Sequence, residues 1–243
     1  MNQPPLPSHT RYWARAEDRQ HVVNTLFDRA AEHYDRACDI MSFGTGRGYR
    51  RAALERAGLR AGMDVLDVGT GTGLVAREAL GLAGASARVV GVDPSHRMMI
   101  AGRGRPGIGF VQGVGEQLPF PAGRFDFLAM GYALRHVADL DQTFSEYRRV
   151  LRPGGRLLLL EITRPDSWLG MIVARIYFGR LVPSVARLTT RSAAAAELMR
   201  FYWDTIAECV APEIVLASLH RVGFLAKRTV ISEIFSEYTA TSP

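Results

Sequence analysis

The chain has 243 residues, 47% of them hydrophobic, and a formal net charge of +6, with arginine supplying all but one of its 30 basic residues. Length and composition describe a single globular domain with additions and a full apolar core, and exclude a disordered or collagen-like chain. Cys38 and Cys209 form neither a metal-ligand pattern nor a disulfide framework, and the scattered arginines make no basic run interleaved with aromatics, so no metal and no nucleic-acid partner is expected.

In chain order, residues 1–10 are rich in proline and polar side chains and are expected to be disordered. They lack the apolar core of a signal peptide, and a reduced, cytoplasmic setting is expected. A helix is predicted from Tyr12 to Leu26. Phe27, Ala30, Ala31 and Tyr34 continue at helical spacing into a second amphipathic stretch, followed by the turn Met41-Ser42-Phe43-Gly44. Residues 11–60 therefore read as N-terminal helices. They either cap a sheet or, through Tyr34 and the Met41–Gly44 turn, form a lid over a ligand.

Asp64-Val65-Leu66-Asp67-Val68 reads as a short buried strand running into Gly69-Thr70-Gly71-Thr72-Gly73 and a helix over Leu74–Leu82. The glycines permit a tight turn and close approach of a ligand, and the helix N-terminus favours an anionic group. A second strand, Arg88–Val92, ends in Asp93, where a carboxylate can accept hydrogen bonds from ribose hydroxyls. The dinucleotide fingerprint needs a third glycine at position 74, which is leucine; the pattern here is G-x-G-x-G.

Pro94 and Ser95 begin a further helix, with Ser95 as N-cap. Strands follow at Ile108–Val111 and Phe125–Met130, separated by the loop Gln112–Phe120. Gly131–Val137 leads to a helix over Leu140–Leu151 that stops at Pro153-Gly154-Gly155, and Arg156–Leu160 makes a fifth strand. Such alternation implies an α/β doubly wound, Rossmann-like parallel sheet, with its ligands at the carboxyl ends of the strands. Around that crevice fall Gly69–Gly73, Asp93, Val114, Gly115 and Gly131–His136. From Arg164 to Arg200 the pattern lapses into apolar residues interrupted by Arg175 and Arg180. No apolar run reaches the roughly 20 residues of a bilayer span, and the stretch suits a helical lid insertion over 164–200, an interfacial amphipathic helix or extra core. A helix over Pro212–Val222 and a strand over Arg228–Ile234 complete the chain.

G-x-G-x-G followed by the aspartate of the second strand resembles class I S-adenosylmethionine (SAM) methyltransferases. Within that class, further pieces resemble the ubiquinone/menaquinone biosynthesis C-methyltransferase (UbiE-like) family. They are Phe27 with Tyr34-Asp35, Met41–Gly44, Val65-Leu66-Asp67 with the glycine turn, and Val90–Asp93. Glu116 with Leu118–Pro121, Leu134-Arg135, Arg149–Leu151 with Pro153–Arg156, and Leu160-Glu161 follow in family order. The resemblance implies an antiparallel last strand, SAM as methyl donor, and carbon methylation of a polyprenylated quinol ring. It implies that Tyr34, Asp67, Gly69, Thr70, Gly71, Thr72, Gly73, Asp93, Pro94, Val114, Gly115 and Gly131 hold the donor.

The departures lie within the site. Leu74 stands where the family usually has aspartate, Val114 replaces an acidic or amide residue, Gly131 a serine and His136 an asparagine, and the glycine-rich ending is absent from Ile231–Pro243. The expected acceptor is thus a small, apolar, aromatic, phenolic or quinol-like molecule. N- or O-methylation of a secondary metabolite or lipid headgroup is an alternative, as is a non-catalytic SAM-binding protein. A nicotinamide-dependent reductase fails for want of the third glycine and a Tyr-x-x-x-Lys base. For carbon attack a ring hydroxyl must lose its proton. His136 is the candidate base, and Arg135, always charged, can stabilise a phenolate. Structurally, His136 could instead cap a helix and Arg135 pair with a carboxylate such as Asp139. Peripheral membrane contact and a homodimer are left open.

Overall fold

A computed structural model describes residues 11–104, 106–165 and 167–243. The tail over 1–10, expected to be disordered, lies outside the described residues. After a 3-10 turn at Ala16–Asp18 come α1 (Arg19–Ala30), a second 3-10 turn at Ala31–His33, α2 (Tyr34–Met41) and α3 (Gly46–Arg56). The helix expected from Tyr12 begins only at Arg19, because the segment before it is recruited by tertiary packing. Trp13 is buried there, its ring 6.4 Å from that of Phe201.

The sheet follows as β1 (Val65–Val68), α4 (Leu74–Ala83), β2 (Val89–Asp93), α5 (His96–Gly102), β3 (Ile108–Gln112), β4 (Phe125–Gly131), α6 (Leu140–Val150) and β5 (Leu151–Ile162). Then α7 (Trp168–Ile176), a π-helical turn (Tyr177–Leu181) and α8 (Val182–Thr190) run on as one helix before α9 (Ala193–Glu208), α10 (Pro212–Arg221), β6 (Leu225–Val230) and β7 (Phe235–Thr241). Strand order is β3-β2-β1-β4-β5-β7-β6, with β1 to β5 parallel and β7 antiparallel to both β5 and β6. The expected doubly wound, mostly parallel sheet is therefore present, and its switch point lies between β1 and β4.

Side-chain alternation sends Leu66, Val68, Leu128, Leu157 and Leu159 to one face, onto Phe144, Tyr147 and Leu219 of α6 and α10. Val65, Phe127, Ala129, Leu158 and Leu160 pack on the other face against Leu54 of α3 and Ala76 and Ala79 of α4. A third apolar cluster lies off the sheet, where Val23 and Leu26 of α1 meet Val182 and Ala186 of α8 and Leu198, Phe201 and Tyr202 of α9. It fixes the helical cover over the carboxyl ends of the strands.

Two sequence expectations are corrected. The single closing strand over 228–234 is instead two strands: that window straddles the connection at Ile231–Ile234, where Ser232 has φ 142°. The strand that joins β5 is β7, whose Ser236, Tyr238 and Ala240 alternate into the core. Secondly, Pro153-Gly154-Gly155 does not separate α6 from β5. Leu151 already pairs with Phe125 and the next pair is Phe127 with Arg156, so the intervening residues bulge out, with Gly154 at φ 75°.

Candidate active site

Everything at the switch point hangs on how β1 turns into α4. Gly69, Gly71 and Gly73 all have left-handed backbones (φ 66°, 56° and 82°), which a side chain would strain. A Cβ on Gly69 would lie 2.6 Å from Cβ of Ala133, and one on Gly71 would lie 3.1 Å from Cε of Met98. The turn is braced from two sides. Asp67 Oδ2 accepts from Thr70 Oγ1 at 2.7 Å and from the Ala76 N–H at 3.0 Å. Asp93 accepts the Gly71 N–H on Oδ2 and the Ser95 N–H on Oδ1, both at 2.8 Å. Burial pushes Asp93 up to about 6 and Asp67 up to about 7, although these hydrogen bonds pull the other way. Ser95 caps α5 as expected, accepting from the Met98 N–H at 3.1 Å, and its hydroxyl donates to Asp28 of α1 at 2.5 Å.

Two cavities meet at this turn. The smaller, about 80 Å³, is bordered by Gly69, Gly71, Asp93, Pro94, Val114, Gly115 and Gly131, with Gln20, Val23, Asn24 and Phe27 of α1 as its outer wall. The larger, about 560 Å³, is mostly apolar and runs under α2, the Ser42–Tyr49 stretch, α7 and the start of β7. Tyr34, Gly69, Gly131, Tyr132 and Tyr202 border both. The hydroxyls of Tyr34 and Tyr202 are hydrogen-bonded at 2.9 Å. Tyr132, just after β4, holds a left-handed backbone (φ 62°) that is uncommon outside glycine and marks strain at this junction.

Of the residues expected to hold the donor, Tyr34, Gly69, Gly71, Asp93, Pro94, Val114, Gly115 and Gly131 border the smaller cavity. Thr70 borders the larger one, while Asp67, Thr72 and Gly73 border neither. Asp67 is spent on bracing the turn, Thr72 bonds Asp35 of α2, and Gly73 is the first residue before α4.

Arg135 and His136, expected side by side on one acceptor, part company. Adjacent residues in the 3-10 turn Leu134–His136 point to different walls: Arg135 borders the larger cavity and His136 the smaller. His136 stacks on Phe201 (5.4 Å, 14°) with Phe27 edge-on at 5.6 Å, and neither ring nitrogen has a hydrogen-bond partner among the described residues. Burial, reinforced by the charges of Arg135 and Arg19, holds it neutral, with its pKa well below the ordinary histidine value.

Arg135 is fully buried. It pairs with Glu161 rather than Asp139, donates from Nε to Thr205 Oγ1 at 3.0 Å, and lies over the Tyr202 ring at 4.9 Å. Asp139 instead caps α6, accepting the Gln142 N–H at 2.9 Å. Among the described residues Nη2 of Arg135 has no partner, nor does Nε of Arg50, a second buried arginine in the wall of the larger cavity. Burial raises the Glu161 carboxyl against the pull of Arg135. Sequence reasoning missed Arg50, Cys38 and Tyr202 as wall residues. Arg50 sits among Arg47 and Arg51 with nothing in its spacing to distinguish it, and Tyr202 arrives from a helix some 70 residues beyond β4.

Comparison with known proteins gives a consistent result. Residues 14–224 match the ubiE/COQ5 methyltransferase family. The chain is 36% identical over 199 residues to the ubiquinone/menaquinone biosynthesis C-methyltransferase UbiE of Hahella chejuensis, covering 77% of this chain and 80% of that protein. To its counterpart in Shewanella piezotolerans it is 33% identical over 203 residues, covering 80% and 81%. Among solved structures, a SAM-dependent methyltransferase from Aquifex aeolicus superposes with a TM-score of 0.59 at 17% identity, over 80% of this chain and 89% of that one. Phosphoethanolamine N-methyltransferase 2 of Haemonchus contortus, in complex with SAM, gives 0.60 at 16% identity over 93% and 59%. At those identities the likeness establishes the class I fold alone.

Proposed function

We propose, for a chain that belongs to the ubiE/COQ5 methyltransferase family and so is a SAM-dependent methyltransferase, that it methylates a ring carbon of an apolar phenolic or quinol-like acceptor. SAM binds in the smaller cavity and supplies an electrophilic methyl group on a sulfonium. The wall suits it. Each oxygen of Asp93 accepts one backbone N–H and keeps a second lone pair for ribose hydroxyls, and Gly69 and Gly71 bring left-handed backbone without side chains to the cavity wall. Val114 and Gly115 offer apolar and backbone contact to a base. His136, neutral and with both ring nitrogens unpartnered, belongs to this donor side rather than to proton transfer.

The acceptor occupies the larger cavity. Its apolar wall excludes water, and the shared residues Gly131 and Tyr132 set its ring beside the donor. Arg135 holds a developing phenolate: Nη2 is an uncommitted donor on a guanidinium whose remaining geometry is fixed by Glu161, Thr205 and Tyr202. A phenol beside that charge ionises more readily, giving its proton to solvent before the ring is enclosed, and the phenolate loads electron density onto the ring carbon. The ring C–CH3 bond forms as the S–CH3 bond breaks to leave a neutral thioether, and tautomerisation of the resulting dienone, ring C–H to oxygen, restores the phenol. Arg50 adds a second buried positive group. The observation that carries the reading is this juxtaposition of a large apolar cavity, buried Arg135 in its wall with an Nη2 unpartnered among the described residues, and a wall shared with the glycine turn. Incubation with methyl-labelled SAM and a panel of short-tailed phenols and hydroquinones tests it. We expect a new ring methyl by NMR; label found only on oxygen or nitrogen would overturn carbon transfer.

A further inference from the structure

The helix that roofs the larger cavity shows a second property. From Trp168 to Thr190 it is continuous for 23 residues and holds an 18-residue stretch of mean hydropathy 1.3, long and apolar enough to cross a bilayer by length and composition; this revises the sequence-based view that no such run exists. It does not have a free circumference. Ala174 and Phe178 pack on Trp203, while Val182 and Ala186 pack among α1, α2 and α9, so spanning would strip a built core. The opposite face is bare. Of the eleven strongly exposed large apolar side chains among the described residues, seven lie on this helix. Trp168 (75% exposed), Leu169, Ile172, Val173 and Ile176 form one patch on α7, and Phe43 (78% exposed) stacks on Tyr177 beside it, with ring centroids 5.5 Å apart. Patches of this kind mark an interaction site.

Charge identifies the partner. Between Asp166 and Glu197 the sequence contains no acidic residue but four arginines, Arg175, Arg180, Arg187 and Arg191, all of them exposed. An apolar face with an aromatic residue at its edge, flanked by arginines that form no ion pair among the described residues, matches the interface of an anionic bilayer. A water-facing helix would carry acidic residues among them. Phe43 and Val173 are at once exposed and part of the larger cavity's wall, so the cavity opens on this face, with Glu233 the acidic residue in that wall. We propose that the exposed face of α7, with Phe43, docks in the headgroup region of an anionic phospholipid membrane and that the cavity takes its acceptor directly from the lipid. The docking rests on the patch and its charges alone. The entry route rests on the reading of the larger cavity as the acceptor site.

Co-sedimentation of the full chain with vesicles of phosphatidylcholine, with and without phosphatidylglycerol, tests this. The fluorescence of Trp168 provides a second readout, because the other two tryptophans, Trp13 and Trp203, are buried. Binding to the mixed vesicles and a blue shift that Trp168→Phe removes are expected. Leu169→Asp with Ile172→Asp abolishes binding, and Arg175→Gln with Arg180→Gln weakens it by roughly 30-fold on anionic vesicles only. All four side chains are exposed and outside both cavities, so unchanged SAM affinity certifies that the variants are folded. Absence of vesicle binding overturns the proposal, and a dimer dissolved by the aspartate pair would assign the face to a second copy of this chain. Binding that ignores phosphatidylglycerol overturns the charge argument. With a vesicle-borne acceptor the aspartate pair lowers turnover, while a short-tailed soluble acceptor is methylated as before. Equal loss on both would overturn entry from the lipid, and failure on every phenol while vesicle binding persists would refute the acceptor reading instead.

Discussion

The two cavities share a wall of five residues yet are built on opposite principles. The smaller has an inner wall made largely of backbone: the left-handed Gly69 and Gly71, the N–H groups that Asp93 fixes, and two short loops at strand ends. The larger is made mainly of side chains from α2, α3, α7, α9 and β7, and its charged groups are the buried Arg50 and Arg135 with Glu233. A site of backbone recognises one ligand and tolerates little change, since every Cβ intrudes. A cavity of side chains can be reshaped by substitution without disturbing the sheet beneath it. The first suits a donor common to a whole class, the second an acceptor that differs from one enzyme to the next.

The sharpest break in that contrast comes at Arg135. Arg135→Ala leaves the buried Glu161 without its counter-charge, and urea unfolding should record a loss of about 3–5 kcal/mol. Arg135→Ala with Glu161→Leu should recover most of the stability but none of the turnover. Recovery of turnover as well would make the arginine a structural residue only.

On the backbone side, Gly71→Val places a branched side chain at φ 56° against Met98. Titration calorimetry should show SAM binding weakened roughly 100-fold, about 2.7 kcal/mol, with the fold retained. Unchanged affinity would move the donor elsewhere.

Asp93 gives the contrast a pH dependence. Its carboxyl, at about 6, lies above the ordinary aspartate value, so the folded protein holds an extra proton from about pH 4 to pH 6. The cost of burying the charge is absent below that window and complete above it, so the stability of the ligand-free chain falls as pH rises through it. Donor binding runs the other way, because ribose hydroxyls need the ionised form. SAM affinity should drop by up to about tenfold per unit below pH 6 and level off above it, and Asp93→Asn should flatten the profile. A profile unaffected by that substitution would exclude Asp93 as the group that titrates.

The mildest effect is expected at His136. Its ring is held by Phe201 and Phe27 and its nitrogens bond nothing among the described residues, so His136→Phe should fold as well as the parent and lose several-fold in SAM affinity at most. Turnover at saturation should be unchanged. A fall of roughly 100-fold or more would restore the general-base role that the sequence suggested.

What the sequence determined by itself is what is local along the chain. The strand–glycine–helix run from Val65, the carboxylate closing β2, the Ser95 cap and the parallel alternation follow from spacing and backbone freedom within a few residues. The family signatures added the antiparallel end of the sheet. Tertiary structure decided the rest. Nothing in the order Leu134-Arg135-His136 reveals that a 3-10 turn sends neighbours into different cavities, or that Glu161, on the next strand, claims the arginine before Asp139 can. Nor does the 228–234 window disclose that the chain reverses within it and leaves the closing place to β7. Arg50 and Tyr202 become wall residues only because α3 and α9 fold over the strand ends. Side-chain partners far apart in sequence are chosen by burial. A charge taken out of water must find the counter-charge that the packing supplies, and periodicity along the chain carries no record of that choice.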